Sequence, residues 1–223
     1  MKSVARLLAL SITLSAQSSW GAMRLSQDGR GEVLTYPFYS ALGDDVTELT
    51  VSNNSGFVKG LAVKVREGLR GDVGLAWNVY LGPYDDFIFH IWKDPNGDGA
   101  VIKPASSEST CTVPSFDGYP QGVSMRNFEW QGDSFSGVER SLAGYAEVFE
   151  LGQWDPFIGN KGPAAARGAS GSTSDCSLLV DAWSTIAGLD GDWLADKTSE
   201  ALSWSGGALS GGASLSISSQ LLE

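Results

Sequence analysis

The stretch LAVKVR at residues 61–66 decides the fold. Its apolar residues Leu61, Val63 and Val65 face one way, and the residues between them, two of which are basic, face the other. Successive side chains of a β-strand point to opposite faces, so this period of two predicts a half-buried strand.

Neighbouring stretches repeat this pattern. In residues 46–52, Leu49 and Val51 share one face, and in residues 75–81 every second position is apolar. Residues 87–92 are apolar on both faces. The last stretch is therefore expected to be central or covered on both sides. The strands recur about every 12 residues and are separated by turn residues, which leaves no room for crossover helices. We predict a mainly β fold, an antiparallel β-sandwich of immunoglobulin-like size, rather than a parallel α/β sheet.

The flanks of this series are less regular. Residues 32–36 predict a short strand that Pro37 ends, and residues 142–151 predict another strand. Between them, residues 104–141 contain many prolines and glycines and predict a long loop region. Five aromatic residues punctuate that region, and we expect them to pack against the core.

The last third of the chain contributes one predicted helix to the same domain. Residues 22–158 form the predicted sandwich core, and the Gly-, Ala- and Ser-rich residues 159–174 predict a flexible loop. Asp175 is placed to cap one short helix near residues 176–187, because its carboxylate can accept backbone N–H groups. Residues 203–223 predict a final strand. The pattern stops without a closing turn, so we expect either a longer ancestral protein or a frayed end.

The first 21 residues have the features of a signal peptide. Lys2 and Arg6 precede an apolar run at residues 7–14, and small residues surround a cleavage position after Gly21. The apolar run is well short of the roughly 20 residues that span a bilayer. We therefore expect a secreted or periplasmic protein of the cell envelope, with no transmembrane segment in the mature chain.

The charge composition of the chain restricts the classes of molecule that it is expected to bind. Fifteen Lys and Arg residues face 26 Asp and Glu residues, which gives a formal net charge of −11. Such a chain repels nucleic-acid phosphates, so no nucleic-acid partner is expected. Hydrophobic residues make up 42% of the chain, enough for a packed core. The expected ligand is a protein or a glycan.

Two cysteines, Cys111 and Cys176, occur in the chain. An even pair in an exported protein favours a disulfide, and two separate buried thiols are the alternative. With only one histidine, His90, the chain lacks the ligands for a zinc site.

The sharpest local motif is DPNGDG at residues 94–99. Asp94, Asn96 and Asp98 place oxygen ligands at positions 1, 3 and 5 of a calcium loop, with glycine at position 6. Position 12, which is normally a bidentate glutamate, is Ala105. The same residues also predict a hairpin turn, and a turn can hold a calcium ion weakly.

No catalytic set stands out. His90 lies in an aromatic strand, where a packed histidine is the simpler interpretation, and no nucleophile-elbow motif accompanies it. Glu147 and Glu150 are candidates for the paired carboxylates of a glycosidase. Their separation is odd, so a regular strand places them on opposite faces.

Three strings carry a resemblance: GRGEVLTYPFY at residues 29–39, NVYLGPYD at 78–85 and CTVP at 111–114. The chain resembles uncharacterised exported proteins of Gram-negative bacteria. The resemblance implies export and a β-rich fold, and it implies no reaction.

These observations favour an exported, non-catalytic β-sandwich that acts as a binding or structural module of the cell envelope or extracellular space. One alternative is an extracellular carbohydrate-active enzyme that uses paired carboxylates. The other is a subunit of a surface assembly.

Overall fold

The computed structural model describes residues 28–105, 110–157, 159–166, 175–183, 185–186, 189–190 and 207–216. Two antiparallel five-stranded sheets dominate this part of the chain, and the predicted mainly β sandwich is confirmed. The strands are β1 (Val33–Ser40), β2 (Val46–Asn53), β3 (Val58–Glu67), β4 (Val73–Leu81), β5 (Asp86–Lys93), β6 (Ala100–Pro104), β7 (Cys111–Val113), β8 (Val123–Ser124), β9 (Ala143–Trp154), β10 (Thr185–Ile186), β11 (Leu189–Asp190) and β12 (Leu209–Ser216).

The main core lies between the two large sheets. The first sheet has the order β1-β9-β3-β4-β7, and the second has the order β12-β2-β5-β6-β8. In β3, Leu61, Val63 and Val65 are fully buried, as the alternating pattern predicts. Strand β5 is the central strand of the second sheet, and its residues at 87, 89 and 91 enter the core. Its other face is only half-buried, because no described element covers that side of the sheet.

Strand β1 ends later in the chain than the sequence predicts. It continues through Pro37 to Ser40 instead of ending at the proline. The pairing of β1 with β9 shifts register between Tyr36 and Tyr39, and β1 lies at the edge of its sheet. An edge strand tolerates proline where no ladder hydrogen bond is required, which explains why the strand goes on.

The helices also differ from the prediction. The predicted helix near residues 176–187 is the shorter α2 (Ser177–Ala182), and Asp175 accepts the backbone N–H of Ser177 at 3.0 Å. A second helix, α1 (Lys161–Ala165), lies inside the predicted flexible loop at 159–174. It forms because Ala165 packs into a second, smaller core and is fully buried there. Residues 167–174 of that loop lie outside the described residues.

The second core covers one side of the first sheet near β7. Tyr80 and Trp154 pack there against Leu179 of α2, and the Trp183 indole N–H donates a hydrogen bond to the Tyr80 hydroxyl. Cys111 of β7 and Cys176 before α2 are paired with the geometry of a disulfide, their Cα atoms 5.4 Å apart. The pair ties α2 to the edge of the sheet.

Four loops meet at one end of the sandwich, which we call the loop end. They are residues 41–45, the β3–β4 turn at 68–72, the β5–β6 turn at 94–99, and residues 125–142, which end in a 3-10 helix (Val138–Leu142). Among the described residues, no helix has the length and apolar character needed to cross a membrane.

Candidate functional site

An ion pair between two chain-distant residues organises the loop end. Arg140 belongs to the 3-10 helix before β9, and Glu67 is the last residue of β3. The guanidinium Nη2 donates to Oε1 of Glu67 at 2.7 Å, and Nε donates to Oε2 at 3.2 Å. The two side chains are 6% and 0% exposed. A bidentate, buried pair of this kind fixes both position and orientation.

The Glu67 carboxylate also holds the β3–β4 turn. It accepts the backbone N–H groups of Leu69, Arg70 and Asp72 at 2.7, 2.8 and 3.1 Å. Burial opposes ionisation of this carboxyl group, but the hydrogen bonds from Arg140 and from the three backbone N–H groups outweigh it. Together they lower the pKa of Glu67 to about 2. Residues 70–72 are therefore held in the β3–β4 turn by the Glu67 carboxylate.

Arg140 extends this network into the loop that precedes it. Its Nη1 donates to Oδ2 of Asp133 at 2.8 Å and to the carbonyl oxygen of Phe135 at 3.0 Å. Its guanidinium lies over the Trp130 ring, 5.2 Å from the centroid. Arg70 reaches the other oxygen of Asp133 at 2.8 Å. One arginine thus connects the β3–β4 turn to the 125–142 loop.

Trp130 anchors the same loop from inside. Its side chain is fully buried, and its indole N–H donates to the carbonyl oxygen of Gly137 at 3.0 Å. The side-chain amide of Asn127 donates to the carbonyl oxygen of Ser136 at 2.7 Å. These bonds close the loop on itself, so its backbone is held without help from regular secondary structure.

The anchored loop nevertheless exposes two aromatic side chains. Phe128 is 73% exposed and Phe135 is 71% exposed. The expectation that the five aromatic residues of this region pack against the core is correct for Trp130 and Phe116. It is wrong for these two phenylalanines and for Tyr119, which is 52% exposed. The backbone bonds that hold the loop already fix its path, and that path directs both rings outward.

Other elements of the loop end also carry exposed apolar side chains. Phe38, Leu42 and Leu69 are all more than half exposed. Phe38 and Leu69 line a cavity of about 480 Å³ beside Arg140 and Tyr145. The loop end is therefore apolar in several adjoining loops rather than at one side chain.

A second cavity, of about 310 Å³, combines apolar and charged groups. Its lining includes Phe128, Met125, Val138, Asp94, Asp98 and Arg126. The carboxylates suit a cation, and the Phe128 ring offers a surface on which a cationic group can stack. Arg126 opposes such a cation by its own charge.

The predicted calcium residues lie in this region, in the β5–β6 hairpin turn. Oδ1 of Asp94 accepts the backbone N–H of Asn96 at 2.8 Å, and Oδ2 accepts the hydroxyl of Ser124 at 2.5 Å. The hairpin turn that the sequence predicts is present, with the Asp94 N–H bonded to the carbonyl oxygen of Gly99. In the part of the chain that the structure describes, no three His, Cys, Asp or Glu side chains gather into a metal site.

Calcium binding at Asp94, Asn96 and Asp98 stays a prediction. A calcium ion there must share both Asp94 oxygens with hydrogen-bond donors, so we expect a dissociation constant in the range of about 10⁻⁴–10⁻³ M. Calcium at several times that concentration will raise stability by about 1 kcal/mol. Thermal unfolding with calcium or chelator at constant ionic strength measures this, with Asp98→Ala as the control. Equal midpoints in the two buffers would rule out the site.

The two candidate catalytic glutamates do not converge. Glu147 pairs with Arg66 at 2.6 Å on the outer side of the first sheet. Glu150 pairs with Lys59 at 2.7 Å, and both of these side chains are buried. The two glutamates therefore point to opposite faces of the first sheet, as their odd separation in the sequence predicts.

His90 lies on the outer face of the second sheet. Its Nε2 is 3.0 Å from Oε2 of Glu48 on the neighbouring strand, and both side chains are partly exposed. The His90–Glu48 pair faces solvent on the side of β5 that no described element covers. His90 is therefore only partly packed, which differs from the interpretation made from the sequence.

Comparisons with known proteins found no match to this chain. No protein-family model matches the chain, no curated protein matches it, and no solved structure matches it.

Proposed function

We propose that the chain is an exported, non-catalytic binding module whose loop end docks a protein partner with basic and apolar side chains. The observation that carries this proposal is the exposure of Phe128 and Phe135 on a loop that Arg140 and Trp130 hold in place. Soluble proteins rarely expose contiguous apolar surface without a use, and aromatic side chains dominate binding energy at interfaces.

The charges around these rings indicate the chemistry of the partner. Asp94 and Asp98 line the cavity beside Phe128, and Glu129 follows that ring directly in the chain. The whole chain has a net charge of −11. A lysine or arginine side chain of the partner would meet two carboxylates and an aromatic ring in the same cavity, and these outweigh the opposing charge of Arg126.

The anchoring of the loop supports binding for a second reason. Ordering a mobile loop on association costs free energy that must come from the new contacts. Here the hydrogen bonds of Arg140, Trp130 and Asn127 hold the backbone before any partner arrives. The two rings are therefore presented at little additional cost.

Export is part of the proposal. The leader at residues 1–21 and the Cys111–Cys176 pair both support a location outside the cytoplasm, where disulfides persist. The mature protein would begin at Ala22 and act in the periplasm, at the cell envelope or in the extracellular space.

Replacing Phe128 or Phe135 with serine will weaken binding of basic, apolar peptides by about tenfold or more. Fluorescence anisotropy with short synthetic peptides of three compositions, basic-apolar, acidic-apolar and neutral-polar, provides the measurement. We expect only the first class to bind, and more weakly at high salt.

The matched control is Phe157→Ser. Phe157 is 89% exposed but follows the far end of β9, away from the loop end. The Phe157→Ser substitution should leave the affinity for basic, apolar peptides unchanged. Equal losses in all three variants, or binding of glycans but of no peptide class, would overturn the proposal.

A further inference from the structure

The two large sheets have four edges, and three of them are blocked. Strand β7 has three residues and β8 has two, while β1 contains Pro37 within a register shift. Short strands, prolines and irregularities are the means by which proteins prevent their edges from pairing with other chains. Strand β12 has none of these features.

Strand β12 is long, regular and uncharged. Its sequence LSGGASLS pairs with β2 in unbroken register from Leu209 to Ser216. Residues 211–216 are exposed. An uncharged edge of this length is a template for another strand.

The backbone of β12 shows which groups face outward. The N–H and C=O groups of Leu209 both bond to Gly31, on the side away from β2. Because these groups alternate along an antiparallel strand, Gly211, Ala213 and Leu215 also direct theirs to that side. Within the described part of the chain, no backbone pairing occupies these three residues.

We propose that β12 pairs with β12 of a second copy of the chain, antiparallel and about a two-fold axis at Ala213. The bridge to Gly31 closes the edge at Leu209, so the open stretch runs from Gly211 to Leu215 and is centred on Ala213. In this register Ala213 meets Ala213 of the second copy, and Gly211 meets its Leu215. Every outward-facing group then has a partner, and a continuous sheet joins the two molecules.

The side chains of β12 favour this register. Leu215 is 37% exposed, and it would pack opposite Gly211, which has no side chain. A Cβ atom at Gly211 would collide with the Tyr36 hydroxyl, so that position is restricted to glycine. The even-numbered positions of the strand are glycine or serine, which place no charge in the junction. The net charge of −11 on each copy opposes approach, so association should strengthen with salt.

Cysteine cross-linking tests the register. In the proposed pairing the two Ala213 Cα atoms are about 5.5 Å apart, within reach of a disulfide. Two Ser210 residues would be about 20 Å apart. Ala213→Cys should therefore give a reducible covalent dimer under mild oxidation, and Ser210→Cys should not. No dimer from Ala213→Cys, or equal dimer from both variants, would overturn the register.

Sedimentation velocity of the mature protein tests the association without cross-linking. Ala213→Pro removes an N–H group that β2 does not use, whereas Ala213→Ser keeps it. We expect Ala213→Pro to weaken dimerisation at least about tenfold, with Ala213→Ser unchanged and thermal unfolding confirming that both variants fold. A wild-type protein that stays monomeric over the micromolar range, or equal dimerisation of both variants, would overturn the proposal.

Discussion

Replacing Arg140 with alanine will lower the free energy of unfolding by about 3–5 kcal/mol, because it leaves the Glu67 carboxylate buried without its cation. Glu67 is 0% exposed, and Arg140 also holds Asp133 and the carbonyl oxygen of Phe135. Urea unfolding followed by tryptophan fluorescence measures the change. The same variant should release the 125–142 loop, so peptide binding at Phe128 and Phe135 should weaken with it.

Arg70→Ala is the matched control. Arg70 also pairs with Asp133, at 2.8 Å, but its side chain is largely exposed. Exposed ion pairs contribute less than about 1 kcal/mol, so this variant should remain close to wild type. Equal effects of the two substitutions would contradict the role assigned to Arg140.

The ion pair between Glu67 and Arg140 makes the stability of the folded protein depend on pH. The pKa of Glu67 is lowered from 4.5 to about 2 in the folded protein, so the folded state holds the ionised form more strongly than the unfolded state does. Its contribution to stability is therefore complete above the unfolded pKa near 4.5 and is lost as the pH falls towards 2. In Arg140→Ala the loss of stability over this interval should be smaller.

Removing the Cys111–Cys176 pair will destabilise the protein by about 4 kcal/mol, since the cross-link closes a loop of 65 positions in the unfolded chain. The double substitution Cys111→Ser and Cys176→Ser avoids leaving a reactive thiol. Calorimetry or urea unfolding measures the effect. We expect α2 to detach first, because the pair fastens it to β7 over Tyr80.

Peptide mapping without reductant provides the corresponding chemical test. Natively exported protein should give one linked pair of peptides containing Cys111 and Cys176. Two thiols that react with an alkylating reagent in folded protein would contradict the pairing.

The sandwich could be predicted from the sequence because its signals are local. The alternation at residues 61–66 and the turn residues between strands are visible in any short window, and the structure confirms them. Strand β1 extends past Pro37 because edge position relaxes the rule against proline, and edge position is a property of the whole sheet. Helix α1 forms because a second core covers it, which local composition does not reveal.

The loop end could not be predicted from the sequence. Glu67 and Arg140 are 73 positions apart, and no short pattern connects them. The exposure of Phe128 and Phe135 depends on the bonds that Arg140 and Trp130 make in three dimensions. A count of aromatic residues in that region identifies the right segment but assigns these two rings to the core.

The buried amine of Lys59 can be used to measure opening of the first sheet by chemical modification. Its ammonium group is enclosed in the sandwich, bonded to Glu150 at 2.7 Å and to Gln153 at 3.0 Å. Its side chain has no solvent exposure. An amine-reactive reagent therefore reaches Lys59 only when strands β3 and β9 separate, whereas surface amines react at once. The acylation rate at this single lysine measures how often the first sheet opens.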